Sequence, residues 1–143
     1  MSEQLSTAAE TIEELKEAFT FLEEWTDRYG YLIDLGRKLP EFPEALKVDE
    51  NLMQGCQSQV WLISHMNGEK IEFLATSDAM IVSGLIGLLL SVYSNRTPAE
   101  ILATDPAFLE ELGLNQHLSP SRSNGLHSMV KHIMAAAKTK AAE

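Results

Sequence analysis

The residues best suited to chemistry in this chain surround its single cysteine, Cys56. Cys56 follows Gly55 and precedes an apolar run that begins at Val60. Glycine lets the backbone turn tightly and exposes the residue that follows it. A thiol presented in this way can react as a thiolate nucleophile. We therefore predict a chemical role for Cys56, with Gln54, Gly55, Gln57 and Ser58 as its supporting loop. The side chains of Gln54, Gln57 and Ser58 either line the cavity of the cysteine or satisfy backbone groups of the loop.

Several classes of protein use, or merely contain, a lone cysteine. A free cysteine is often a small buried hydrophobic residue, and the protein is then a plain interaction module. A cysteine-nucleophile enzyme, such as a thiol hydrolase or peroxidase acting without a partner, needs a base such as histidine, and no histidine lies in a companion motif. A metal or cluster scaffold generally needs several thiolate or histidine ligands, so we predict no metal site.

The elements around the cysteine indicate a β-hairpin. Gln57 to Met66 has the branched and aromatic content of a strand, and Glu69 to Thr76 alternates apolar and polar residues as a return strand does. Asn67-Gly68 between them is a strong hairpin-turn signal. Cys56 should therefore lie at the open end of the hairpin, away from the turn.

Helices are predicted on both sides of the hairpin. Before it, a capping box at Thr11–Glu14 starts a helix that Gly30 breaks near Arg28, and 31–35 form a second short segment. After it, Ser77-Asp78 caps a buried helix from Ala79 to about Tyr93. Further signals predict short helices opened by Thr97-Pro98 and by Asp105-Pro106, an irregular loop over 118–125, and a last helix from Leu126. The class is α+β, an antiparallel sheet of about three strands with helices packed mainly on one face.

Composition indicates one domain over residues 1–143, with 1–10 and 136–143 as loose tails. The apolar fraction is 45% and the charged fraction 22%, as in ordinary globular proteins. A formal net charge of −10 argues against a nucleic-acid partner. The single cysteine, the lack of a signal-peptide pattern and an apolar stretch at 79–92 too short to cross a bilayer predict a cytoplasmic protein without a membrane partner.

Four ordered stretches between residues 12 and 135 together resemble the SufE family, the sulfur acceptors of cysteine desulfurases. They are Met53–Trp61, which holds the cysteine, Tyr31–Pro40, Ser77–Leu85 and Ser119–Leu126. The resemblance implies a fold shared with IscU-type cluster scaffolds. It also implies that Cys56 takes sulfane sulfur as a persulfide from a pyridoxal-phosphate desulfurase (SufS- or CsdA-like), stimulates that enzyme, and passes the sulfur to an iron–sulfur scaffold complex (SufBCD-like). No cofactor of its own is expected.

Other residues of these stretches have two interpretations each. Asp78 is the expected N-cap of the buried helix and a candidate for sheltering the cysteine loop. Arg122 is either a surface charge or a group that lowers the Cys56 pKa or contacts the partner. Asn124 is a second candidate for the environment of Cys56 or for the partner contact. A homodimer could shelter the cysteine loop. Which desulfurase the protein serves stays open.

Overall fold

The computed structural model describes residues 7–53 and 58–142, except for the side chain of Asn115. Seven helices and one two-stranded antiparallel sheet lie within these residues. The elements are α1 (Ala8–Phe21), α2 (Trp25–Arg37), β1 (Val60–Asn67), β2 (Lys70–Ser77), α3 (Met80–Tyr93), α4 (Pro98–Ala103), α5 (Phe108–Glu111), α6 (Leu114–His117) and α7 (Pro120–Ala141), with 3-10 turns at Glu44–Leu46 and Asp49–Asn51. The α+β class is confirmed.

The buried helix α3 forms the centre of the hydrophobic core. Its residues are apolar nearly all round, and those from Gly84 to Leu90 are all buried. Helix α2 packs directly against it, backbone to backbone. A Cβ atom added at Gly84 would lie 2.6 Å from the carbonyl oxygen of Leu32, and one added at Gly87 would lie 2.7 Å from the carbonyl carbon of Leu35. Glycine is therefore required at both positions for this close approach.

The predicted hairpin is confirmed, with its turn one residue later than expected. Asn67 pairs with Lys70, so Gly68 and Glu69 form the turn. Gly68 has a φ of 67°, as the first position of a two-residue II′ hairpin turn requires. The inner face of β2 is buried against α3 through Ile71, Phe73 and Ala75.

The expectation of about three strands is wrong by one for the described residues. Each edge of the hairpin is met by an isolated bridge instead of a strand: Leu52 with Trp61 on one side, and Ile71 with Arg96 on the other. Beside Ile71, the Ser94 hydroxyl accepts the Phe73 N–H at 2.9 Å. The Ser94 side chain thus takes the place of the next backbone hydrogen bond along this edge of β2, and no third strand forms there among the described residues.

The N-terminal helices begin and end at residues other than those predicted. The capping box lies at Thr7 and Glu10, so residues 8–10 are helical and not a loose tail. The first helix ends at Phe21, where the Arg28 guanidinium donates hydrogen bonds to the carbonyls of Phe19 and Leu22. Gly30 does not break a helix, because it lies inside α2 with open space around it.

The C-terminal region contains more helix than the sequence predicted. Thr97 caps α4 as expected, with Pro98 at its first position. The same pattern recurs at Ser119-Pro120 and starts α7, so the loop predicted over 118–125 is wrong from residue 120 onward. Residues 136–141 belong to α7 and are not a loose tail.

Candidate functional site

The central residues of the predicted site, Gln54, Gly55, Cys56 and Gln57, lie outside the described residues. The described chain ends at Met53 on one side of them and resumes at Ser58 on the other. The backbone N–H of Met53 donates to the carbonyl of Val60 at 2.8 Å. Both ends of the segment are therefore fixed at the start of β1, the open end of the hairpin.

A cavity of about 330 Å³ lies beside Ser58. Its floor is apolar and comes from two helices, with Val82 and Leu85 on α3 and Gly125 and Met129 on α7. Its rim is polar and consists of Ser58, Ser119, Ser121 and Arg122. The chain just before β1, the central helix and the start of the last helix thus meet at this cavity. No acidic side chain is among the described residues that line it.

The first turn of α7 positions the polar rim. Ser119 is its N-cap, and the Ser119 hydroxyl accepts the backbone N–H of Arg122 at 3.4 Å. Arg122 is exposed at the cavity, and its guanidinium forms no ion pair with any carboxylate of residues 7–53 or 58–142. The positive end of the helix dipole adds to this cation, so the rim favours a negatively charged group.

Two other predicted site residues, Asp78 and Asn124, are not among the described residues that line the cavity. Asp78 is exposed and does not cap α3, whose N-cap is Ala79. The local capping bond belongs to Ser77, whose hydroxyl accepts the Ala79 N–H at 3.2 Å. Asn124 lies on α7 with its side chain exposed. Neither lines the cavity within the described residues, so Ser58 and Arg122 are the predicted residues that the cavity brings together.

The sequence did not identify the residues of the cavity floor as part of a site. Val82, Leu85 and Met129 look like ordinary core positions, which they also are, since each is less than 9% exposed. Gly125 offered a signal, because a buried glycine inside a helix removes a side chain from its neighbourhood. The polar composition of 118–125, which predicts a loop, conceals that signal.

Histidines and acidic residues are dispersed through the described parts of the chain. No group of three or more His, Cys, Asp or Glu side chains that could hold a metal ion occurs there. His65 pairs with Glu72 across the hairpin at 2.8 Å, and His117 stacks on Trp25 with ring centroids 4.0 Å apart. Neither histidine lines the cavity beside Ser58.

Among the described residues, no helix combines the length and the apolar composition that crossing a bilayer demands.

Comparison with known proteins gives a consistent result. Residues 13–137 match the family model of SufE, described as an Fe-S metabolism associated domain. An uncharacterised SufE-like protein of Rhizobium meliloti (strain 1021) is 42% identical over 133 residues, covering 90% of this chain and 95% of its own. An uncharacterised SufE-like protein of Rhizobium etli is 43% identical over 137 residues, covering 92% of this chain and 93% of its own.

The fold is also that of a solved structure. The solution structure of a hypothetical protein from Thermus thermophilus superposes with a TM-score of 0.78, covering 93% of this chain and 97% of the other. The two chains are 21% identical, so this likeness concerns the fold alone.

Proposed function

This chain belongs to the SufE family, and from that premise we propose that it is the sulfur acceptor of a cysteine desulfurase, with Cys56 as the carrier. The observation that carries the proposal is the cavity beside Ser58, with its apolar floor and its cationic rim. Two residues of chain span at most about 7 Å, so Ser58 ties Cys56 to this part of the molecule.

The proposed reaction is a thiol–persulfide exchange. The Cys56 thiolate attacks the outer, sulfane sulfur of the persulfide on the desulfurase cysteine. The bond between the sulfane sulfur and the enzyme's cysteine sulfur breaks, and that cysteine leaves as a thiolate. A new S–S bond joins the sulfane sulfur to Cys56, with no net oxidation or reduction.

The surroundings of the cavity favour this reaction over independent catalysis. The Arg122 guanidinium and the start of α7 favour the thiolate and the anionic persulfide. The apolar floor, from residues such as Leu85 and Met129, limits access of water to the bound sulfur. A hydrolase or peroxidase would need a base at the thiol, and no histidine is among the described residues that line the cavity.

The remaining parts of the proposal concern the protein's setting. The acceptor stimulates its desulfurase by removing the product sulfur, and then passes the sulfur to an iron–sulfur scaffold complex in the cytoplasm. The chain needs no cofactor of its own, since the pyridoxal phosphate belongs to the desulfurase. Gln54, Gln57, Asp78 and Asn124 stay predicted contributors to the cysteine's environment or the partner contact, and a homodimer stays a prediction.

Intact-mass spectrometry tests the proposal. The chain is incubated with a cysteine desulfurase, pyridoxal phosphate and cysteine, beside the matched variant Cys56→Ser. We expect the wild type to gain the mass of one or more sulfur atoms, reversibly with reductant, and the variant to gain none. No gain with a desulfurase that loads another SufE-family acceptor would contradict the proposal, as would thiol-dependent hydrolysis or peroxide reduction by the chain alone.

A further inference from the structure

The segment that carries Cys56 is held at its base by a very short stem. We define the stem as Leu52, Met53, Val60 and Trp61. Leu52 and Trp61 form an isolated antiparallel bridge, and the Met53 N–H donates to the Val60 carbonyl at 2.8 Å. Pairing of this extent is weak without support from side chains.

That support comes from Lys47, which lies over the outer face of the stem. Its Nζ atom is 5.9 Å from the centre of the Trp61 ring, within the range of a cation–π contact. Trp61 is half-buried, and the Lys47 side chain is only 31% exposed. Both groups keep some contact with water, so we assign the contact the strength of an exposed cation–π pair.

A further hydrogen bond connects the ends of the turn that joins Lys47 to the stem. The Asn51 side chain donates to the carbonyl of Leu46 at 2.8 Å and so closes the turn between Lys47 and Leu52. Lys47 also pairs with Glu44 at 2.7 Å, but the Glu44 side chain is 85% exposed, and such surface pairs contribute little. Of these two contacts of the ammonium group, the one with the indole is the one that touches the stem.

From this arrangement we infer that Lys47 and Trp61 are positioning residues that clamp the stem of the Cys56 segment. The clamp keeps Met53 and Val60 joined and so fixes, beside the cavity at Ser58, the two described ends between which Cys56 stands in the sequence. The role of the clamp in sulfur transfer rests on the proposed function. The existence of the clamp does not, and the first test below measures it without a desulfurase.

Hydrogen exchange of the Met53 amide measures the clamp without any desulfurase. We expect Lys47→Met to accelerate this exchange about two- to fivefold, the factor that an exposed cation–π contact contributes to a local opening equilibrium. Lys47→Arg keeps a cation over the indole and should restore protection. Glu44→Gln removes only the surface pair and should match the wild type. The Ile71 amide, bonded to the Arg96 carbonyl at 2.8 Å, is the reference within the same molecule.

The rate of persulfide loading then tests the positioning role. Lys47→Met should slow loading by a similar factor, about two- to fivefold, whereas Lys47→Arg and Lys70→Met, which alters an exposed lysine at the turn end of the hairpin, should load normally. Trp61→Leu is a second variant, which removes the indole side of the contact. If Trp61→Leu does not fold, the results with Lys47→Met decide whether the clamp exists. Unchanged Met53 exchange overturns the clamp, and faster exchange with normal loading overturns the positioning role. A wild-type chain that is never loaded overturns the proposed function instead.

Discussion

Arg122 stands at the mouth of the cavity as an unpaired cation, within the described residues, on a chain whose formal net charge is −10. Its side chain is exposed, so its contribution to folding is small. Its position beside Ser58 suits it to act on an anionic sulfur or on an acidic group of the partner. A residue with these two properties should affect sulfur transfer without affecting stability.

We predict that Arg122→Ala lowers the rate of persulfide loading by roughly threefold, the scale of an exposed charge pair. The matched control is Arg37→Ala, which removes an exposed arginine paired with Asp34 at 3.2 Å on α2. Single-turnover loading followed by intact mass measures both variants, and thermal melts check that both are folded. Equal loading by the two variants would show that Arg122 is an ordinary surface charge.

Burial of Tyr93 limits the stability of the folded protein at alkaline pH. The side chain is fully buried and its hydroxyl donates to the Thr104 carbonyl at 2.9 Å. Burial, followed by the negative charge of Asp105, raises the pKa of Tyr93 above its usual value of 10.0. Below pH 10 the phenol is neutral in both the folded and the unfolded chain. Above pH 10 only the unfolded chain ionises readily, so stability falls as pH rises.

We therefore predict that the free energy of unfolding declines above about pH 10, and that Tyr93 ionises together with unfolding. Denaturant melts at a series of pH values give the decline, and tyrosinate absorbance gives the ionisation. Tyr93→Phe should be less stable at neutral pH, because it leaves the Thr104 carbonyl without its donor, but should lose less stability on passing above pH 10. A variant with the same alkaline decline as the wild type would assign the effect to other groups.

At the scale of elements, the contact between α2 and α3 depends on the absence of side chains. A Cβ atom at Gly87 would meet backbone atoms of Leu35 and Gly36, and neither can move like the end of a flexible side chain. Adding one methyl group there must push the helices apart. Gly30 lies on the same helix pair with no atom within 4 Å of the added position.

We predict that Gly87→Ala lowers the free energy of unfolding by about 1–3 kcal/mol through overpacking. Gly30→Ala should raise it by about 0.5–1 kcal/mol, because alanine favours helix over glycine at an unhindered position. Urea denaturation gives both values from the midpoints at constant slope. If the two substitutions shifted the midpoint in the same direction, the backbone-to-backbone packing would be refuted.

Patterns within a few residues predicted the elements well. The alternation in β2, the hairpin turn and the Thr97-Pro98 cap are local signals, and each element formed, the turn and the return strand one residue later than predicted. Where the prediction failed, tertiary packing decided. Gly30 does not break α2, because the apolar contacts of the helix outweigh one weak helix former. The Ser119-Pro120 pair was a valid helix start that the surrounding polar residues concealed.

At the scale of the whole molecule, the sequence suggests a candidate reactive residue, Cys56, but does not identify the cavity beside Ser58. The cavity joins Ser58, Val82, Arg122 and Met129, which lie before β1, on α3 and on α7, far apart in the chain. A pattern in one sequence does not report which distant helices will meet. The family resemblance indicated Arg122 as a candidate. The floor residues could be identified only from the packed structure, because core positions look alike in sequence whether or not they face a cavity.

The contact between α2 and α3 also orders events while the chain is being made. Leu32 meets Gly84, and 84 − 32 leaves a separation of 52 residues, whereas the strands of the hairpin are neighbours in sequence. Local pairs form before distant ones, because closing a long loop costs more entropy. A ribosome that has just released the hairpin has released α2 without the helix it packs against. The apolar face of α2 therefore lacks its partner until α3 emerges, and during that interval it is open to aggregation or to capture by a chaperone.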